Sequence, residues 1–142
     1  MLRLAYPLFA TGRTALGLLV LRVLAGVAMA FHGWGKIQHS MNWMGPESTM
    51  PGFFQLLAAV AVFGGGIAWM LGLVTPLASF GLACTMVVAV WFHAFERGDP
   101  FVASGPGPAY EPAAVYLCVA VLLLLGGPGS FSADRLLFGK RE

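Results

Sequence analysis

The sequence predicts an all-α integral membrane protein, a bundle of four membrane-spanning helices in a single domain covering residues 1–142. Two observations support this prediction: the composition of the chain and its four long apolar runs. Hydrophobic residues make up 58% of the chain and charged residues 10%, whereas soluble domains carry about 25% charged residues. The mean hydropathy is +0.81. Because so short a chain cannot bury this much apolar surface internally, lipid must cover the excess.

The apolar runs cover about residues 15–37, 53–73, 77–95 and 112–126. A helix needs about 20 apolar residues to cross the hydrocarbon core of a bilayer, and the first three runs reach that length. The fourth run is shorter, so it spans the bilayer if Glu111 lies at the interface or if the helix is recessed among its neighbours. All four runs are continuous rather than alternating, which excludes the pattern of a membrane β-barrel.

The segments between and after the runs determine how the helices connect. Residues 39–51 contain glycine and proline, which predicts irregular structure. Residues 74–76 form a tight link between the second and third runs, so these two helices are expected to make an antiparallel hairpin. Beyond the fourth run, Ser130 or Ser132 is expected to cap a short amphipathic segment, residues 133–138, that lies at the membrane interface.

The distribution of basic residues predicts the orientation. Most of those outside the runs lie near the two termini, and this set comprises Arg3, Arg13, Arg135, Lys140 and Arg141. By the positive-inside rule, both termini are expected in the cytoplasm, with the chain in a bacterial-type inner membrane. The same orientation predicts Trp69 near the inner interface. The net charge of +2 and the scattered basic residues offer no footprint for nucleic acid.

Four polar residues are expected at the outer end of the bundle, namely His32, Lys36, His93 and Glu111. His32 and Lys36 are four residues apart and therefore lie on one helix face. A lysine beside a histidine suits an anion or the carbonyl of a quinone, and a His–Glu pair suits proton movement. The same residues also fit a purely structural interpretation, in which the histidine is an interfacial anchor and the lysine extends to the headgroups. The three histidines lack the spacing of a metal site.

Arg22 is the sharpest anomaly of the sequence. It lies about seven residues into the first run, roughly 10 Å from its inner end at 1.5 Å per residue. A charge at that depth is costly unless it is paired or reaches the interface. Arg22 is therefore expected to extend toward the cytoplasm or to form a buried ion pair with Asp134, and in either case to serve a structural role.

The chain resembles the DoxX family over nearly its whole length. The resemblance rests on a series of motifs in a fixed order: Arg22, His32-Gly33-x-x-Lys36, Gly64-Gly65-Gly66, Leu71-Gly72-Leu73-Val74-Thr75, His93, Glu111 and Gly127-Pro128-Gly129-Ser130-Phe131-Ser132-x-Asp134. The resemblance implies a four-helix membrane fold. It also implies similarity to DoxD, the membrane subunit of thiosulfate:quinone oxidoreductase, although other members of the family act with partner proteins or have no assigned activity.

One departure from the family pattern bears on function. The resemblance implies a glutamate just before the glycines of the second run, where this chain has Val62. If that acid pairs with the arginine of the first run or relays protons, this chain has lost it. Arg22 would then need another partner, and catalysis by this subunit alone would be less well supported.

Two functions follow from the sequence. In the first, the chain is an accessory or structural subunit of a larger membrane complex, which the resemblance suggests is a redox or electron-transfer complex. In the second, it is a quinone-linked oxidoreductase subunit, in which His32 and Lys36 bind quinone while His93 and Glu111 move protons. The expected partners are the lipid bilayer together with other membrane subunits or further copies of the chain. The sequence leaves open whether the chain is an enzyme.

Overall fold

The computed structural model describes residues 9–139, and every regular element in that range is helical. The elements are α1 (Gly12–Gln38), α2 (Gly52–Leu71), α3 (Thr75–Trp91) with a π-helical extension (Phe92–Glu96), α4 (Glu111–Gly126) and α5 (Ala133–Phe138). Three of them are long and apolar enough to cross a membrane, namely Gly12–Gln38, Gly52–Leu71 and Thr75–Glu96, and α4 is a shorter apolar helix. The predicted all-α membrane fold is confirmed.

The helices form a bundle with two distinct ends. α1 packs against α2, α2 against α3 and α3 against α4, and α1 also contacts α4. We call the end where α2 ends, α3 begins and α5 lies the proximal end, and the end with the 39–51 and 97–110 loops the distal end. Of the basic residues that predict the orientation, Arg3, Lys140 and Arg141 lie outside the described residues, so the orientation stays a prediction.

α1 and α2 approach each other closely because glycines line their contact. A Cβ added to Gly66 would lie 2.5 Å from the backbone nitrogen of Ala30, and one added to Gly33 would lie 2.5 Å from that of Phe63. Gly26 is equally restricted, since its added Cβ would lie 2.6 Å from the Gly66 carbonyl oxygen. Small residues allow this kind of close backbone packing between membrane helices, and here they position the polar residues of α1 against α2.

The core is apolar and includes Trp69, which lies in the last turn of α2 at the proximal end of the bundle. Its position near the inner interface stays a prediction, because it depends on the orientation. Trp69 is fully buried, and its indole Nε1–H donates a 2.9 Å hydrogen bond to Ser79 Oγ on α3. Because the hydroxyl satisfies the one polar atom of the ring, the tryptophan has no need of interfacial water. Large apolar side chains such as Leu24 and Leu77 are instead exposed on the outside of the bundle, where a membrane protein meets lipid.

The close helix contact yields a matched pair of substitutions. Gly66→Ala is expected to lower the free energy of unfolding by about 1–3 kcal/mol, because the new methyl group overpacks the contact with α1. Gly64→Ala is the control on the same helix, since a Cβ there meets nothing within 4 Å, and it is expected to be neutral or stabilising by up to about 1 kcal/mol. Unfolding in mixed detergent micelles, followed by circular dichroism, measures both. Equal effects would contradict glycine-dependent packing.

Candidate functional site

Arg22 is buried inside the bundle and does not extend to the interface. Its side chain is 1% exposed, and its Nη1 donates hydrogen bonds to the carbonyl oxygens of Trp69 at 2.9 Å and Met70 at 3.1 Å. Nη2 donates to the carbonyl oxygen of Phe131. Trp69 and Met70 lie in the last turn of α2, where carbonyls lack partners within the helix and carry partial negative charge. The guanidinium thus caps the end of α2 and ties it to the C-terminal segment.

Asp134 holds the beginning of α3 in the same region. Its carboxylate is fully buried and accepts the backbone N–H groups of Val74 at 2.6 Å and Thr75 at 2.8 Å. Its own backbone N–H donates to the Gly72 carbonyl oxygen at 2.8 Å. An anion is favourable at a helix N-terminus, and these bonds hold Val74 in a left-handed conformation, at φ +43°, that branched residues rarely adopt.

Arg22 and Asp134 therefore carry opposite charges at the two ends of one tight turn. The charges attract each other electrostatically. Arg22 binds carbonyl groups in the last turn of α2, Asp134 binds the N–H groups at the start of α3, and the turn lies between them. Gly72 is required there for two reasons: its φ is +62°, and a side chain would collide with the Arg22 guanidinium. We call Arg22, Gly72 and the segment that carries Asp134 the proximal cluster. Within the described residues, Arg22 Nε is buried without a hydrogen-bond partner.

The C-terminal segment is built to reach this turn. Ser132 Oγ donates to the Gly129 carbonyl oxygen at 2.7 Å and accepts the Arg135 N–H at 3.3 Å, so Ser132 is the N-cap of α5. The Ser130 N–H donates to the Ala10 carbonyl oxygen at 2.9 Å, which joins the segment to the start of the chain. Of the two serines expected to cap α5, the structure thus uses Ser132.

At the distal end, His32 and Lys36 line one open cavity of about 580 Å³. Lys36 Nζ lies 4.5 Å from the centroid of the Trp43 ring, a cation–π distance. The Trp43 indole is itself fixed, because its Nε1–H donates to the Gln55 carbonyl oxygen at 2.9 Å. His32 is exposed, and its ring meets the Tyr116 ring of α4 edge-on at a centroid distance of 6.1 Å.

Gln55 organises the loop that forms this cavity, and sequence reasoning missed it. The side chain is 4% exposed. It accepts the Met44 N–H at 3.1 Å and donates to the Met50 carbonyl oxygen at 2.9 Å, so the 39–51 loop folds back onto α2. The available signal was a lone amide in the first turn of an apolar helix, since a polar group in such a place needs partners.

His93 and Glu111 lie at the distal end, but they do not pair with each other. His93 Nδ1 is 2.6 Å from Asp99 Oδ2, and Arg97 Nε is 3.2 Å from the same oxygen. Glu111 begins α4, and its carboxylate has no hydrogen bond or ion pair within residues 9–139. Sequence reasoning missed Asp99, whose signal was an acid six residues after the histidine, just beyond a helix end.

Val62, at the position of the family's acid, lies far from Arg22. It is fully buried in the apolar core, next to Phe63, whose backbone abuts Gly33 of α1. The α2 carbonyls that bind Arg22 begin at Trp69, which is about 10 Å further along the helix at 1.5 Å per residue. An acid at position 62 would therefore lie beside Gly33 and not beside Arg22. The hydrogen bonds that hold Arg22 go to backbone carbonyl groups and need no acid at position 62. In the described range, no three side chains of His, Cys, Asp and Glu are grouped as metal ligands would be.

The carboxylate of Asp134 yields the second testable prediction. Asp134→Asn removes the negative charge and leaves one oxygen to accept two N–H groups, so we expect a loss of about 2 kcal/mol in unfolding free energy. Glu111→Gln is the control, because that carboxylate makes no hydrogen bond in the described range, and its expected loss is below about 1 kcal/mol. Both are measured by detergent unfolding of the full chain. A loss in Glu111→Gln as large as that in Asp134→Asn would contradict the role given to Asp134.

Comparison with known proteins agrees with the motif resemblance. The DoxX family model matches residues 17–94, a range that includes Arg22, His32, Lys36 and the α2–α3 turn. The chain is 34% identical over 129 residues to "Inner membrane protein YqjF" of Escherichia coli (strain K12), which covers 85% of this chain and 92% of that protein. No solved structure matches. The family match, the extended similarity to this relative and the helical membrane architecture together show that the chain belongs to the DoxX family.

Proposed function

We propose that this chain is a non-catalytic accessory or structural subunit of a larger assembly in the bacterial inner membrane, with both termini in the cytoplasm. The observation that carries the proposal is the separation of the four polar residues at the distal end. His32 and Lys36 line a cavity, His93 binds Asp99, and the Glu111 carboxylate makes no hydrogen bond in residues 9–139. A proton path needs donors and acceptors within hydrogen-bond reach of each other, and this arrangement supplies none between His93 and Glu111.

The interior of the bundle supports the same proposal. The buried polar and charged residues of the described range are Arg22, Gln55, Thr75, Ser79, Ser132 and Asp134. All of these side chains except that of Thr75 hold the backbone or a core side chain, and the Thr75 hydroxyl has no hydrogen-bond partner in that range. Val62 keeps the core apolar at the position where the family pattern has an acid. Ionisable residues inside a membrane protein are the usual markers of a proton or substrate pathway, and here they stabilise the fold.

The proposed location rests on the relative and on the basic termini. YqjF is named as an inner membrane protein, and the similarity covers 85% of this chain and 92% of YqjF. Arg13 lies in the first turn of α1, and Arg135 lies in α5 at the same end of the bundle. A concentration of basic residues at one end favours that end on the cytoplasmic side.

A second candidate function is quinone binding at the distal cavity. Its volume of about 580 Å³ is within the range of about 300–1,000 Å³ typical of small-molecule sites. Lys36 and His32 offer donors for quinone carbonyls beside the aromatic walls of Phe31 and Trp43, so the residues fit a quinone headgroup. A bound quinone would supply two-electron redox chemistry. His93, which this function also requires, is engaged by Asp99 instead.

Purification of the full chain in mild detergent, from cells that express it at its native level, separates these two functions. The accessory role predicts an assembly well above the 15.0 kDa of one chain, with less than one quinone per chain and an unchanged size in His32→Ala. His32 is exposed, so its loss is not expected to unfold the bundle. A single chain that carries about one quinone, which His32→Ala removes and the control Arg13→Gln retains, would overturn the accessory role and establish the quinone function.

A further inference from the structure

The ionisable side chains that line the distal cavity are all basic. The side chains that line it include one lysine, two histidines and an amide, and none of the lining residues in the described part of the chain is an aspartate or glutamate. These polar side chains are Lys36, His32, His39 and Asn42. Each can donate hydrogen bonds, and protonated histidine adds further positive charge. The lining therefore matches an anion in both charge and hydrogen-bond polarity.

Lys36 is held at the cavity without an anionic partner among residues 9–139. Its ammonium lies over the Trp43 ring, and the hydrogen bond from Trp43 to Gln55 fixes that ring. No ion pair joins Lys36 to a carboxylate anywhere in residues 9–139. A cation positioned in this way lacks a counter-ion, and a ligand with a negative charge would provide one.

The position of the cavity at the end of a membrane-spanning helix indicates where such an anion would come from. Phe31 lines the cavity and is 78% exposed on the outside of the bundle, and Trp34 on the same helix is 55% exposed. Lys36 is in the last turn of α1, at the end of the membrane-spanning segment. Aromatic rings at a helix end are typical of the bilayer interface, where headgroups and the first acyl carbons meet. The cavity is thus open to lipid on its aromatic side.

We propose that the distal cavity binds the phosphate of a net-anionic membrane lipid, with Lys36 supplying the compensating charge and Phe31 contacting the acyl chains. A zwitterionic lipid fits less well, because no acidic residue among the lining side chains would receive its ammonium group. A quinone fits less well too, because its neutral carbonyls leave the Lys36 charge uncompensated. The proposal is independent of the accessory role, since a bound lipid is compatible with a chain in an assembly or alone.

Native mass spectrometry of the full chain in detergent tests the proposal directly. The chain is titrated with phosphatidylglycerol and with phosphatidylcholine of the same acyl chains, and bound lipid is counted. Phosphatidylglycerol is expected to bind more tightly, and Lys36→Gln is expected to weaken it about tenfold, the loss of one charge-assisted hydrogen bond. Arg97→Gln is the matched control, because it removes one positive charge at the same end of the bundle outside the cavity.

A second variant keeps the test informative if Lys36→Gln fails to fold. Asn42 is exposed at the cavity wall, so Asn42→Asp adds a negative charge there without disturbing the core. Because this charge repels the phosphate, the substitution is expected to weaken phosphatidylglycerol binding. Equal binding of the two lipids, or equal loss in Lys36→Gln and Arg97→Gln, would overturn the proposal. Displacement of the lipid by millimolar inorganic phosphate would show a phosphate site without a lipid requirement. Binding of ubiquinone that depends on Lys36 and excludes phosphatidylglycerol would return the cavity to the quinone function.

Discussion

The fold depends on one constraint, the burial of the Arg22 charge within a membrane-spanning helix. An arginine at that depth is stable if its donors find acceptors inside the protein. The acceptors are the carbonyl groups at the end of α2 and in the C-terminal segment. Carbonyl groups in the last turn of a helix have no partner within the helix itself. A charge that is costly in lipid and carbonyls that are costly in an apolar core thus satisfy each other, and both requirements fix where α2 ends.

Several other features follow from this arrangement. The segment that carries Phe131 must return to the proximal end, and once there it brings Asp134 to the α2–α3 turn, where the carboxylate holds the first N–H groups of α3. Gly72 must be a glycine because the turn and the guanidinium leave no room for a side chain. The proximal cluster therefore joins the beginning, middle and end of the chain. The charges of Arg22 and Asp134, which are costly in a membrane, are used for structure at the proximal end, and the polar residues that line a cavity lie at the distal end.

The sequence predicts the helices well because the length and continuity of apolar runs follow directly from bilayer thickness. The runs at 15–37 and 112–126 correspond to Gly12–Gln38 and Glu111–Gly126. The sequence also marks Arg22 as anomalous, but the carbonyl groups that bind it belong to the backbone and leave no trace in residue identity. For the same reason the burial of Trp69 could not be foreseen, since it depends on a hydroxyl that helix packing brings to its indole.

Candidate site residues were easier to locate than to pair. Helical spacing places His32 and Lys36 on one face, and both line the distal cavity. The topology also brings His93 and Glu111 to that end of the bundle. Pairing depends on loop conformation, however, and the loop after the π-helical turn delivers Asp99 to His93 instead of Glu111. The cavity and the His93–Asp99 pair are thus separate features, and a shared end of the bundle does not establish a shared site.

The central claim is that Arg22 holds a segment more than one hundred residues away, through the Phe131 carbonyl. Hydrogen–deuterium exchange of the full chain in detergent, read peptide by peptide, tests it most directly. Arg22→Gln is predicted to accelerate exchange in residues 127–138 and at the α2–α3 turn, whereas Arg13→Gln leaves both as in the parent chain. Faster exchange confined to α1 around residue 22, with residues 127–138 protected as before, would contradict the account.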